Sequence, residues 1–189
     1  MGSGHHIWDK AAAIRLLNDD RERSENAEFL KDVLRPTKQV IVDLGCGSGY
    51  YATKLKPFAS MLYCIDSSEE MLSVARERVH GKNITFLKED SSGISLSNYS
   101  VDIVFMANSF HDMEDKFGAS AEIARILKPN GIIIVIDWKK GSKQNAKEHR
   151  GPPDSIRMSE AEYLRWFSKF KIKARFEAGT DHFGLVLKK

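Results

Sequence analysis

Gln39-Val-Ile-Val-Asp-Leu-Gly-Cys-Gly-Ser-Gly49 is the stretch on which the fold turns. Val40 to Val42 is a β-branched run, of a length and composition that predict a buried strand ending in Asp43. Gly45, Gly47 and Gly49 follow at alternate positions, which predicts a tight turn where backbone comes close to something else. Tyr50 to Phe58 then has the composition of a helix. Strand, glycine turn and helix are how α/β proteins hold a nucleotide-like ligand at the carboxyl end of a parallel sheet. The plainer reading is that Asp43 caps the turn and the glycines only make a corner.

The glycine spacing separates two kinds of ligand. The dinucleotide fingerprint G-x-G-x-x-G, counted from Gly45, requires glycine at 50, where this chain has Tyr50. The last glycine comes one residue early, and an acid stands two residues before the first. A nicotinamide-dependent oxidoreductase is disfavoured on that ground.

Six further segments read as strands. They are Met61–Ile65, Ile84–Leu87, Val101–Met106, Ile132–Ile136, Phe170–Phe176 and His182–Leu187. The helices between them are marked by their ends. Ser67-Ser-Glu-Glu70 reads as a capping box of Ser67 with Glu70, and Met71, Leu72, Val74, Ala75 and Val79 give that helix its buried face. A helix from about Glu114 to Leu127 is stopped by a Lys128-Pro-Asn-Gly131 turn. Ser159-Glu-Ala-Glu162 opens another. The last two strands have no helix between them and predict a terminal hairpin. Residues 8–34 read as two helical pieces ended by Pro36, and residues 139–158, with Gly151-Pro-Pro153, as a loop or lid.

Strand ends carry the candidate chemistry. Asp66 ends the second strand, seventeen residues after Gly49, where an acid can accept from two ribose hydroxyls; helix entry is its other reading. Ala107-Asn-Ser-Phe-His-Asp-Met113 follows the fourth strand at the ligand crevice. His111 is the candidate general base, because an unperturbed imidazole titrates near neutrality. Lining the pocket or capping the next helix is the equal alternative. Asp112 either orients His111 or serves as N-cap. Asp137, Trp138, His149, Arg157 and His182 are weaker candidates.

Asp43-Leu-Gly45-Cys-Gly47-Ser-Gly49, Asp66, Asp90 and Arg125-Ile-Leu-Lys-Pro-Asn-Gly131 together resemble the class I S-adenosylmethionine-dependent methyltransferases. The closest likeness is to the small stand-alone type 11 group of the ubiquinone/menaquinone-biosynthesis kind. Trp138-Lys-Lys140 and Gly151-Pro-Pro153 resemble its compact microbial members. The resemblance implies a Rossmann-like, doubly wound, seven-stranded sheet, mostly parallel with an antiparallel last strand, in one domain over residues 1–189. Residues 1–36 would be an N-terminal helical extension closing over the cofactor, with Trp8 available to pack there. It implies an S-adenosylmethionine pocket built from Asp43, Gly45, Cys46, Gly47, Gly49, Asp66, Ser67, Met71, Asp90, Ser91, Ala107 and Asn108. Asp90 would accept from the adenine amino group, with Glu89 as the neighbouring alternative. Asp43 would attract the cofactor's ammonium group. The expected reaction is an in-line methyl transfer to a small-molecule acceptor. A non-catalytic cofactor-binding protein, or a methyltransferase acting on protein or RNA, is the alternative. Arsenic methyltransferases need several thiols, and this chain has Cys46 and Cys64 only.

Composition agrees with that class. Of 189 residues, 42% are hydrophobic and 29% charged, which describes a globular chain and not a disordered one. The longest apolar run, Ile132 to Ile136, is too short to span a bilayer, and Met-Gly-Ser-Gly-His-His is not followed by a signal-type apolar segment. Two cysteines make no disulfide framework, so a reducing cytoplasm is expected. Charge is uneven. Residues 1–124 hold 14 basic and 19 acidic residues, net −5, and residues 125–189 hold 15 and 7, net +8. No arginine-rich block or aromatic-basic interleaving points to nucleic acid.

Overall fold

The computed structural model describes residues 27–34, 39–141 and 151–189. Seven strands form one sheet: β1 Gln39–Leu44, β2 Ala59–Asp66, β3 Ile84–Lys88, β4 Val101–Ala107, β5 Leu127–Trp138, β6 Lys171–Glu177 and β7 His182–Lys188. Their spatial order is β3-β2-β1-β4-β5-β7-β6. β1 to β5 pair in parallel, while β7 runs antiparallel to both β5 and β6. All seven expected strands are present, and the last, β7, is antiparallel as the resemblance implied; it lies between β5 and β6. The order reverses between β1 and β4, which leaves a crevice outside their carboxyl ends.

Alternation along the strands divides the core in two. Val42, Val104, Met106, Ile133 and Val135 face one way, against helices α4 (Lys116–Ile126) and α5 (Glu160–Trp166), with Ile123, Ile126, Tyr163 and Phe167. Ile41, Ile103, Phe105, Ile134 and Ile136 face the other way, against α1 (Phe29–Val33), α2 (Tyr50–Leu55) and α3 (Glu69–Arg78). Both faces of β4 and β5 are therefore covered, which is why those strands are almost wholly apolar. Trp8 and the first predicted helical piece fall outside the described residues. Of the second piece, Phe29–Val33 is helical.

Three local expectations are corrected. The N-cap of α3 is Ser68, whose hydroxyl accepts from Met71 N at 3.2 Å; the helix starts one residue later than a Ser67–Glu70 box requires. Asp66 causes the shift, because its carboxylate takes the Ser68 N–H at 2.9 Å and keeps Ser68 outside the helix. Asp112 does not cap α4; Asp115 does, accepting from Gly118 N at 2.8 Å. Lys128-Pro-Asn-Gly131 is not a turn but the extended start of β5, with Leu127 already paired to Val101. Lys128 reaches Asp102 at 2.7 Å, and Asp102 also accepts from Val40 N, so the segment is drawn alongside β4. The Ser159–Glu162 capping box is present. Arg125 clamps the loop before β4, donating to the Leu96 and Ile94 carbonyls at 2.7 and 2.6 Å.

The hairpin end is tied to α1 by one ring. Phe176 lies opposite Gly184 across β6 and β7 and stacks on Phe29, with centroids 4.2 Å apart and planes at 17°. A Cβ on Gly184 would sit 2.1 Å from the Phe176 ring. Gly184→Ala should therefore displace that ring and destabilise the fold by about 1–3 kcal/mol, read as a lower denaturation midpoint in urea. An unchanged midpoint would remove this packing argument.

Candidate active site

The glycine turn closes over the end of β2. Gly45 and Cys46 both donate their backbone N–H to the Ile65 carbonyl, at 2.8 and 3.1 Å. The three glycines have φ of 72°, 52° and 80°, the left-handed region that side chains resist. They are needed for different reasons. A Cβ on Gly45 would strike Ser109, and one on Gly49 would lie 2.8 Å from Val79, so both are held by internal packing. A Cβ on Gly47 would meet nothing within 4 Å. At Gly47 the backbone lines open space.

Asp66 joins this turn to α3. One carboxylate oxygen accepts from Gly47 N at 2.8 Å and the other from Ser68 N at 2.9 Å. Burial pushes its pKa up, while the N–H donors from Ser68, Gly47 and Ser67 oppose that shift. With Gly47 N and Ser68 N as its close partners, the carboxylate keeps acceptor capacity for a hydroxyl donor. Asp43 is 2% exposed at the end of β1. The Cys46 thiol is pushed up by its hydrogen bond with Cys64 and by burial, so it stays protonated and unreactive. Met71 is buried on α3, while Ser67 is exposed. Asp90 caps its own turn through Ser92 N and Oγ, at 2.8 and 2.7 Å, and Glu89 takes Ser95 N at 3.1 Å. Ser91 lies in that same turn, half-buried. Ala107 is buried at the end of β4, and Asn108 follows with φ of 54°. Asparagine tolerates that conformation better than most residues. The main chain thus bends sharply where β4 meets the crevice, and Asn108 N is tied to the Ile136 carbonyl at 2.9 Å.

His111 lies three residues on, in a single 3-10 turn, and is buried. Its Nδ1 lies 2.9 and 3.0 Å from the two oxygens of Asp137, at the end of β5. Asp137 is fully buried and also accepts from the Tyr163 hydroxyl on α5 and from Trp138 N at 2.8 Å. Burial pulls the His111 pKa down, but the hydrogen bond and charge of Asp137 outweigh it, leaving the pKa above the ordinary 6.5. Burial, then the Asp137 charge, hold Tyr163 far above its ordinary value, so the phenol remains a donor. Asp112 is 3.5 Å from His111 Nε2. Asp137, a weaker candidate by sequence, is thus the main partner of His111. Tyr163 belongs to the helix that the Ser159–Glu162 capping box opens. Nothing in its local pattern marks the contact, which spans 26 residues.

The remaining candidates assemble elsewhere. Trp138 packs against His182 with centroids 4.1 Å apart and planes tilted by 46°, lies 5.1 Å from the Arg157 guanidinium, and is covered by Gly151. Arg157 donates to the Pro152 and Lys139 carbonyls. These contacts fasten both described ends of the 139–158 loop to β5 and β7. His149 falls outside the described residues. Beside His111 opens a cleft of about 560 Å³, lined also by Lys116, Ile156, Arg157, Met158, Arg165 and Trp166. None of its lining residues belongs to the glycine turn.

A family model described as methyltransferase domain, type 11, matches residues 42–135, from β1 to β5. The crystal structure of a protein assigned to the type 11 methyltransferases, from Sulfolobus solfataricus, is 42% identical, covering 88% of this chain and 93% of that one, with a TM-score of 0.77. The chain belongs to the class I S-adenosylmethionine-dependent methyltransferases, type 11. A second methyltransferase structure, from Aquifex aeolicus, is 27% identical over 95% of this chain and 98% of that one, with a TM-score of 0.84. The ubiquinone/menaquinone biosynthesis C-methyltransferase UbiE of Campylobacter jejuni is 30% identical over 143 residues, 72% of this chain and 54% of that protein. The chain spans about half the length of the curated relatives it matches.

The residues fit the family's cofactor. A dinucleotide's pyrophosphate needs backbone donors at a helix N-terminus. Here the Gly47 N–H is already taken by Asp66, and the turn is bounded by two acids, Asp43 and Asp66. That suits a ligand with an ammonium group and ribose hydroxyls and no phosphate. Gly47→Ala should leave the thermal midpoint within a few degrees, since the left-handed backbone costs about 1–2 kcal/mol, yet abolish S-adenosylhomocysteine binding by filling the open space. Gly49→Ala should instead lower the midpoint further, through the clash with Val79. Equal binding losses at equal stability would refute the distinction.

Proposed function

We propose that the chain is an S-adenosylmethionine-dependent methyltransferase that acts on a small-molecule acceptor, with His111 as its proton acceptor. The observation that carries this reading is the buried His111–Asp137–Tyr163 arrangement beside an open cleft, at the ends of β4 and β5. When bound, the cofactor supplies an electrophilic methyl group that needs no further activation. The backbone from Gly45 to Gly49 approaches it closely, and Asp43 faces its ammonium group. Asp66 receives the ribose hydroxyls with the lone pairs left over from Gly47 and Ser68. Asp90, with Ser91, lies beside the adenine; Glu89 already holds Ser95 and is the weaker choice. Ser67, Met71, Ala107 and Asn108 shape the remaining walls.

His111 then handles the acceptor's proton. Asp137 holds Nδ1–H, which leaves Nε2 as the lone-pair nitrogen. An acceptor hydroxyl or ammonium gives its proton to Nε2, and Asp137 stabilises the resulting imidazolium. Tyr163 and Trp138 N fix the carboxylate, so the imidazole is oriented before substrate arrives. Asp112, exposed and 3.5 Å away, modulates Nε2 without holding the ring. The cleft is of small-molecule size, and the curated relative named above is a biosynthetic C-methyltransferase, which supports a small acceptor.

Three measurements test the reading. Asp66→Ala should weaken S-adenosylhomocysteine binding by at least about tenfold in calorimetry; unchanged affinity removes the ribose role. His111→Ala should cut methyl transfer about 10²-fold or more with cofactor affinity unchanged. Only neutral His111 can accept a proton. Activity should therefore fall as pH drops through a pKa above 6.5, and Asp137→Asn should move that limb to lower pH. A pH profile identical in wild type and Asp137→Asn would mean that His111 is not the base.

A further inference from the structure

The cleft beside His111 has the chemistry of a receptor for a small organic acid. Lys116, in the first turn of α4, donates to the Met113 carbonyl at 2.7 Å and has no ion-pair partner among the described residues. Burial lowers its pKa, an effect that Asp112 and Asp137 partly offset. Arg165, in the last turn of α5, is exposed with no hydrogen bond or ion pair among the described residues. The carboxylates nearby are already engaged. Glu162 is held by Ser159 N at 2.7 Å and by Lys140 at 3.3 Å, and its pKa is down at about 2. Asp137 takes three donors, and Asp112 sits against His111. The cleft therefore offers two cations with no ion-pair partner among the described residues, and its lining carboxylate, Glu162, is engaged.

Its apolar part is equally specific. Ile156 is 39% exposed and Trp166 38% exposed, two of the four large hydrophobic side chains exposed among the described residues. Both line this cleft, with Met158 beneath. Exposed apolar surface beside unpaired cations suits a ligand with an apolar body and one anionic end.

We propose that this cleft is the acceptor site and that the acceptor is a small carboxylic acid, bound as its anion. Lys116 and Arg165 take the carboxylate, and Ile156, Met158 and Trp166 take the body. The proposal rests on the reading of the chain as a small-molecule methyltransferase and narrows its substrate class. His111, in the turn that follows β4, lines the same cleft, and in this reading the body of the acid points toward the proposed methyl position.

The test is calorimetric titration of the S-adenosylhomocysteine complex with phenylacetate and octanoate, and with the matched amides phenylacetamide and octanamide. At least one acid should bind about tenfold or more tighter than its amide. The double variant Lys116→Met, Arg165→Met should bring that acid to its amide's level while cofactor affinity stays at the wild-type value. Trp166→Ala should weaken acid and amide alike. Acids and amides of equal affinity, or no acid binding by a complex with intact cofactor affinity, would overturn the proposal. If the protein fails to bind S-adenosylhomocysteine at all, the cofactor reading fails instead, and the same titrations on the free protein decide the cleft by themselves.

Discussion

Everything at the carboxyl edge of the sheet depends on β1 pairing in parallel with both β2 and β4. A central strand flanked on both sides in parallel forces the connections to leave in opposite directions, one set of helices on each face. The loops after β1 and β4 are then pushed apart, and a crevice opens between them. The glycine turn and the Asn108 bend are the two lips of that crevice. Ser109 bridges them, donating from Oγ to the Leu44 carbonyl at 2.9 Å. The close fit of Ser109 against Gly45 explains why a side chain cannot be added there, in a way that has nothing to do with ligand.

Two carboxylates at strand ends do contrasting work. Asp66 at the end of β2 is half-buried and accepts backbone N–H groups with capacity to spare. Asp137 at the end of β5 is fully enclosed and saturated by His111, Tyr163 and Trp138 N. A buried charge survives only when it is fully hydrogen-bonded. Asp137 can therefore orient and tune but not contact a ligand, whereas Asp66 can do both. The difference follows from position: β2 lies next to the sheet edge, while β5 is covered on both faces.

Much of the fold was legible because its signals are local. The alternation of β4 and β5, the glycine turn and the Ser159 box all act within a few residues. All seven strands could be read from the sequence. The errors were also local, at element ends, where a distant partner intervened. Asp66 displaced the α3 cap from Ser67 to Ser68, and Asp102 straightened the Lys128–Gly131 segment into β5. Both involve a carboxylate whose side chain competes with the backbone pattern.

The sequence by itself determined the class of fold, the order of its elements and the glycine turn at the end of β1. Each of these is written in residue spacing. Only the tertiary structure decided that Asp137, and not the adjacent Asp112, holds His111, and that Tyr163 completes the group. It also brought Lys116 and Arg165 to one cleft. Those side chains come from separate helices and strand ends, and their meeting is set by how α4 and α5 pack on one face of the sheet. No periodicity encodes such a meeting, because its geometry exists only once the sheet has formed.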